Sequence, residues 1–159
     1  MANSAHDDTP HVGAKLRLVW QWVRDQVDEG VANAGYEHLD PAHLRMLWYP
    51  GLDGRRPSEL ASERQITKQT VSYLINDLEQ RGYVVRVPDP RDGRARIVNL
   101  TPAGRRLEMV VNKLALDAEL QIAERLGPRR FRALREALDE LTPLLGGRDT
   151  GADSGRNDE

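Results

Sequence analysis

Lys68, Gln69, Thr70, Ser72, Tyr73 and Asn76 crowd short polar and hydrogen-bonding side chains into one stretch of the chain. Between them Val71, Leu74, Ile75 and Leu78 recur at the three-and-four spacing of a helical face, so the stretch predicts a helix with one apolar and one polar side. Polar groups near a helix N-terminus can reach base edges and phosphates in a major groove roughly 12 Å wide. Lys68 suits phosphate or guanine, Gln69 adenine, Thr70 a thymine methyl or phosphate, and the hydroxyls of Ser72 and Tyr73 the backbone. The plainer explanation is a solvated face, but a large aromatic such as Tyr73 is uncommon on a surface meant only for water. Further on, Arg91, Arg94 and Arg96 lie at or beside a turn expected at Asp92-Gly93, where an extended guanidinium suits a narrow minor groove. Asp92 is placed to orient Arg94, and the rival explanation is a charged hairpin that protects a sheet edge.

Other chemistry is sparse. His6, His11, His38 and His43 have no cysteine beside them, and His38 and His43 straddle a helix start, so a structural or surface role outweighs metal binding. Trp20, Trp22 and Trp48 stand at helical spacing and read first as core, with Trp20 and Trp48 as candidate walls of a pocket for an aromatic effector. No Gly-rich phosphate loop, nucleophile elbow or persuasive carboxylate pair occurs, and no cofactor is implied, which argues against an enzyme.

The elements that must hold these residues follow from caps and breakers. Leu16, Val19, Trp20, Val23, Val27 and Val31 form a helical stripe widened by Leu18 and Trp22. Asp40-Pro41 opens a second helix, with Leu44, Leu47 and Trp48 inward and Pro50-Gly51 as its end. Pro57 opens a short third helix, where Arg56 occupies the usual Ser/Thr capping position and should weaken the start. Thr67 can cap the next one, and two short helices across so tight a turn make a helix-turn-helix. Gly82 stops it, and Tyr83 to Val87 and Ala95 to Leu100 predict two strands around the tip Pro88 to Arg94. Thr101-Pro102 begins a helix through Leu107, Val110, Val111, Leu114 and Ala118; Gly127-Pro128 breaks it before a last helix with Phe131, Leu134, Leu138, Leu141 and Leu145. The expected fold is mainly α with a small antiparallel β-wing, a winged helix-turn-helix. Its first and last two helices carry more apolar surface than the small core can cover, and subunit pairing is their simplest use.

The net charge of −2 conceals an uneven distribution. Arg55 to Leu107 holds 11 Lys and Arg against 6 Asp and Glu, while the rest of the chain holds 12 against 19. A basic block in an acidic chain confines attraction for polyanions to one surface. Cysteine is absent, which removes disulfides and thiol-based sensing, and no apolar run is long enough to cross a bilayer. With a polar start carrying Asp7 and Asp8, these features predict a cytoplasmic protein with no membrane partner. Residues 1–11 and 146–159 are poor in apolar side chains and are expected to be disordered.

Arg56 to Leu107 closely resembles the core of MarR-family transcriptional regulators, above all in the DPRDGR wing, Asp89 to Arg94, and the LTPAG helix entry, Leu100 to Gly104. The resemblance implies a domain over 12–145, with dimerisation helices at 12–35 and 102–145 around a DNA-binding lobe at 40–101. It further implies a homodimeric, ligand-responsive repressor on a pseudo-palindromic operator in double-stranded DNA, with Arg94 as the minor-groove arginine, Asp92 as its support and a small aromatic ligand as effector. Tyr73 departs from the arginine often found at that position, so base preference does not carry over. The competing readings are a winged-helix protein-interaction module that binds no DNA and a small-molecule-binding helical dimer.

Overall fold

Val71, Ile75 and Leu78 are fully buried and Leu74 nearly so, which fixes the rotation of the helix that carries them and turns its polar side outward. That helix, α4 (Lys68–Gln80), is the fourth of six in a computed structural model that describes residues 10–48 and 51–146. It follows α1 (Val12–Val31), α2 (Pro41–Leu47) and α3 (Pro57–Arg64), and precedes β1 (Val84–Asp89), β2 (Asp92–Leu100), α5 (Pro102–Leu126) and α6 (Pro128–Gly146). Residues up to Glu119 form one compact unit and those from Leu120 a second. The expected disordered ends lie outside the described residues apart from Pro10, His11 and Gly146, as does Pro50, the expected stop of α2.

The core of the first unit joins Val27 and Val31 of α1, Leu44 and Leu47 of α2, Leu60 of α3, the apolar side of α4, Val98 and Leu100 of β2, and Leu107 and Val111 of α5. Only the last part of the expected α1 stripe is inside, because Leu16, Leu18, Val19 and Trp20 remain about half exposed. The α-helix ends at Val31 and winds on through a wider π-helical turn, Ala32–Tyr36, in which Gly35 takes φ 92°. In the second unit α6 buries none of its described side chains, and Leu138, Leu141 and Leu144 are exposed.

Several ends are made as the residue types dictate. Thr67 Oγ1 accepts the Thr70 N–H at 3.0 Å, and Thr101 Oγ1 accepts the Gly104 N–H at 3.1 Å. Gly82, at φ 77°, closes α4 with the Tyr83 N–H donated to Leu78 O at 2.9 Å. At the helix-turn-helix corner the same device is built on Gln65 at φ 53°, a left-handed conformation that costs a side-chain-bearing residue about 1 kcal/mol. Asp40 departs from expectation: its carboxylate makes no capping hydrogen bond and stands 3.6 Å from His43 Nδ1.

The hairpin is longer than its composition suggested. β1 and β2 pair antiparallel from Val84–Leu100 to Asp89–Asp92, with an irregularity at Pro88/Asp89, so the turn falls at Pro90-Arg91 and Asp92-Gly93 belongs to β2. The cause is Asp89, whose Oδ1 accepts the Arg91 N–H at 2.8 Å and folds the chain back two residues early. Arg55 bridges to Val98, which lays the start of α3 beside the wing.

Gly104 explains the LTPAG entry. A Cβ there would meet Tyr83 O at 2.0 Å, so α5 rests directly on the backbone that enters the wing, and Thr101 donates to Gly82 O at 2.6 Å across the same seam. Gly104→Ala is therefore expected to destabilise the protein by about 3 kcal/mol in denaturant unfolding. Gly13→Ala, in α1 with nothing within 4 Å of the new methyl, should gain about 0.5–1 kcal/mol. Equal stabilities for the two variants would contradict the close seam.

Candidate nucleic-acid interface

The outward side of α4 presents Lys68, Gln69, Thr70, Ser72, Tyr73 and Asn76, all exposed, with Tyr73 at 65%. They are not equally free. Thr70 Oγ1 lies 2.8 Å from Thr67 Oγ1, and Asn76 Oδ1 accepts from Arg86 at 2.6 Å. Among the described residues Lys68, Gln69 and Ser72 have no side-chain partner, so these groups keep their full bonding capacity for an incoming molecule.

At the wing the backbone N–H of Arg94 is donated to Asp92 Oδ1 at 3.2 Å, so Asp92 steadies the main chain and leaves the guanidinium extended. Arg94 and Arg96 are exposed and make no ion pair among the described residues, whereas Arg91 Nε sits 3.5 Å from Asp89 Oδ1. Asp92 also approaches Arg56 at 3.6 Å.

Arg56 is the residue that composition misled about. In place of a cap it sends its guanidinium to Asp89, 2.6 Å away and 2% exposed, and so fastens the wing to the first turn of α3. The Arg56 N–H is satisfied by Glu59 Oε2 at 3.0 Å, half of a capping box. The Arg91 N–H, and after it the Arg56 guanidinium, hold the Asp89 carboxyl below the usual carboxylate range. A basic residue placed before a helix-opening proline was the available hint, but its acidic partner lies 33 positions away.

Two further anchors were not legible. His43 is 2% exposed in the core beneath α4, with Nε2 2.9 Å from Asp77 Oδ2. Asp77 is held below its ordinary value first by the Arg81 guanidinium at 2.6 Å. Arg64 donates to Arg45 O at 2.7 Å and to Met46 O at 3.3 Å, closing the carbonyl end of α2, and burial pulls it below the usual arginine range. The described residues contain no cluster of His, Asp and Glu suited to a metal ion, and no helix among them is long and apolar enough to cross a membrane.

Trp20 and Trp48 come together edge to face, ring centroids 4.8 Å apart. With Arg45, Arg64, Thr70 and Leu74 they line a cavity of about 400 Å³ between α1, α2 and the inner edge of α4. Trp48 Nε1 and Arg64 Nε, on two of the lining residues, are buried without a partner among the described residues. The cavity walls are largely apolar and aromatic, and the charged lining is Arg45 and Arg64 together with Glu63, whose carboxylate is already engaged by Arg55.

Comparison with known proteins places this geometry. Residues 39–95 match the MarR family model. The transcriptional activatory protein BadR of Rhodopseudomonas palustris is 38% identical over 53 residues, 33% of this chain and 30% of that protein, so under a third of its length is matched. A Mycobacterium tuberculosis MarR family protein in complex with salicylic acid is 26% identical, with 84% of this chain and 98% of that chain covered at a TM-score of 0.62. Wild-type MarR from E. coli in its apo form is 19% identical over 86% of this chain and 100% of that chain at a TM-score of 0.69, a likeness of fold alone. With the helix-turn-helix, the wing and the matched segment in agreement, residues 39–95 carry the MarR family pattern, and the chain has the winged-helix fold of MarR-family regulators.

Proposed function

We propose that the chain is a sequence-specific DNA-binding regulator, a ligand-responsive homodimer that represses from a pseudo-palindromic operator. The observation that carries this reading is the pairing of an outward polar face on α4 with the unpaired guanidiniums of Arg94 and Arg96 on the wing beside it. Lys68, Gln69, Thr70, Ser72 and Tyr73 enter the major groove, with Asn76 beside them tethered through Arg86. Arg91, Arg94 and Arg96 follow the adjacent minor groove, with Asp92 shaping the strand between them.

The apolar residues left exposed on α1, α5 and α6, Leu16, Val19, Met109, Leu116, Leu138 and Leu141 among them, supply the dimer contact. Two copies related by a two-fold axis read half-sites about one helical turn apart, roughly 34 Å, which is why the operator is palindromic. Repression follows when such a site overlaps a promoter. The sign of regulation is set by the position of the site, and the activating role in BadR's name is compatible with the same reading head.

The effector site is the cavity of Trp20 and Trp48. The Mycobacterium tuberculosis relative is in complex with salicylic acid, and an aromatic carboxylate answers both the tryptophan walls and the guanidinium groups of Arg45 and Arg64 in the lining here. Thr70 and Leu74 line it as well, so an occupant touches the helix that reads DNA and can favour one setting of it over another.

Arg94→Ala is expected to weaken binding to a duplex selected by the wild-type protein by about 1 to 3 kcal/mol in a gel-shift titration at fixed salt. Unchanged affinity would contradict the wing assignment. For the effector, salicylate should quench tryptophan fluorescence saturably, with about tenfold weaker binding in Trp20→Ala. Identical titration curves for the two proteins would remove the cavity from the account.

A further inference from the structure

A crevice of about 470 Å³ opens where the first turn of α3, the start of α4 and the wing meet, lined by Arg56, Ser58, Lys68, Ser72, Arg86 and Arg96 among others. Its four cations fall into two kinds. Arg56 is neutralised by Asp89, and Arg86 is held by Glu79 and Asn76. Lys68 and Arg96 have no carboxylate partner, and the hydroxyls of Ser58 and Ser72 no hydrogen-bond partner, among the described residues.

The α3 end adds to this. Pro57 brings no N–H to the first turn, so the unsatisfied donors begin with the amide of Ser58, and the positive end of the helix faces the same opening. Glu59, the acid of that turn, is engaged by the Arg56 amide and Arg55 and is not part of the lining. What remains is two open positive charges with hydroxyl and amide donors from three separate elements. That set matches one compact anion with several acceptor oxygens.

Position selects which anion. On one side of the crevice α4 offers the side chains assigned to a major groove, and on the other the wing offers those assigned to the minor groove. The only part of a duplex lying between two such grooves is a sugar–phosphate strand. We propose that this crevice seats a single phosphodiester of the DNA backbone, held by Lys68, Arg96, Ser58 and Ser72, at the point where the strand passes between the recognition helix and the wing. The assignment rests on the DNA-binding reading above. It adds Ser58 and the α3 N-terminus to the interface, and it gives Lys68 and Arg96 a shared phosphate in place of separate contacts.

The test uses the full chain and a duplex selected by it, prepared as a series with one methylphosphonate linkage moved along each strand. A single position in each half-site should lose about tenfold in affinity on neutralisation, the worth of a charge-assisted contact. Lys68→Gln and Arg96→Gln should each lose about as much on the unmodified duplex and lower the slope of log affinity against log salt by about one. In the Lys68→Gln/Arg96→Gln double variant the penalty at that one position should vanish while penalties elsewhere persist. Ser58→Ala should lose about threefold at that position only, and circular dichroism of the variants, all altered at exposed residues, should match wild type.

A wild-type protein that binds the duplex tightly, but whose methylphosphonate profile is unchanged in the double variant, overturns the crevice and leaves the DNA-binding reading intact. A wild-type protein that binds no duplex at moderate salt overturns both. Competition by inorganic phosphate beyond that of chloride at equal ionic strength, with no position sensitive to methylphosphonate, would make this a free-phosphate site and overturn the backbone assignment.

Discussion

One-sided burial of α4 is the constraint from which the rest follows. Val71, Ile75 and Leu78 each remove essentially all of their side chains from water, and burial of such a residue is worth about 1.5–3 kcal/mol. Together they set the rotation of the helix against α2, α3 and the wing, and no rotation that hid Lys68, Ser72 and Tyr73 could keep them inside. The polar face is therefore held outward by the core beneath it. His43 and Arg64 reinforce that setting from below, the first against Asp77 of α4 and the second at the carbonyl end of α2.

The wing's position depends on two contacts of different kinds. Gly104 lets α5 lie on the Tyr83 carbonyl, which fixes the base of the hairpin through backbone contact alone. Arg56 and Asp89 fix its far end through a charge pair. Between them the strands have little freedom to swing, and the guanidiniums of Arg94 and Arg96 are carried at a set distance from α4. A reading head that must fit two neighbouring grooves needs that distance kept before DNA arrives, because ordering it on binding would reduce the affinity gained.

Much of this was legible in the sequence, for local reasons. Periodicity located α4 and its two faces, Thr67 and Thr101 announced their caps, and Gly82 announced its stop. The β-branched runs on either side of Pro88 to Arg94 marked the wing, and the resemblance over Arg56 to Leu107 agreed with them. What was not legible depends on partners far apart in sequence. The hairpin turn moved from Asp92-Gly93 to Pro90-Arg91 because Asp89 captures the Arg91 amide. Arg56 looked like a poor cap because its role is set 33 residues later. His43 looked like a surface or structural residue of no particular place until α4 was laid over it. Trp20 and Trp48 were named together on chemical type alone, and only the packing of α1 on α2 brings their rings within 4.8 Å.

The same helix thus connects the two halves of the proposed function, since its outer face holds the DNA-facing groups and its inner edge, through Thr70 and Leu74, borders the tryptophan cavity. The claim beneath all of this is that two such helices, one per subunit, lie in successive major grooves on one side of a duplex. Hydroxyl-radical footprinting of the complex tests it most directly. The account predicts two protected patches related by two-fold symmetry and centred about one helical turn apart, roughly 34 Å. A single unpaired patch, or protection spread evenly along the duplex, would contradict it.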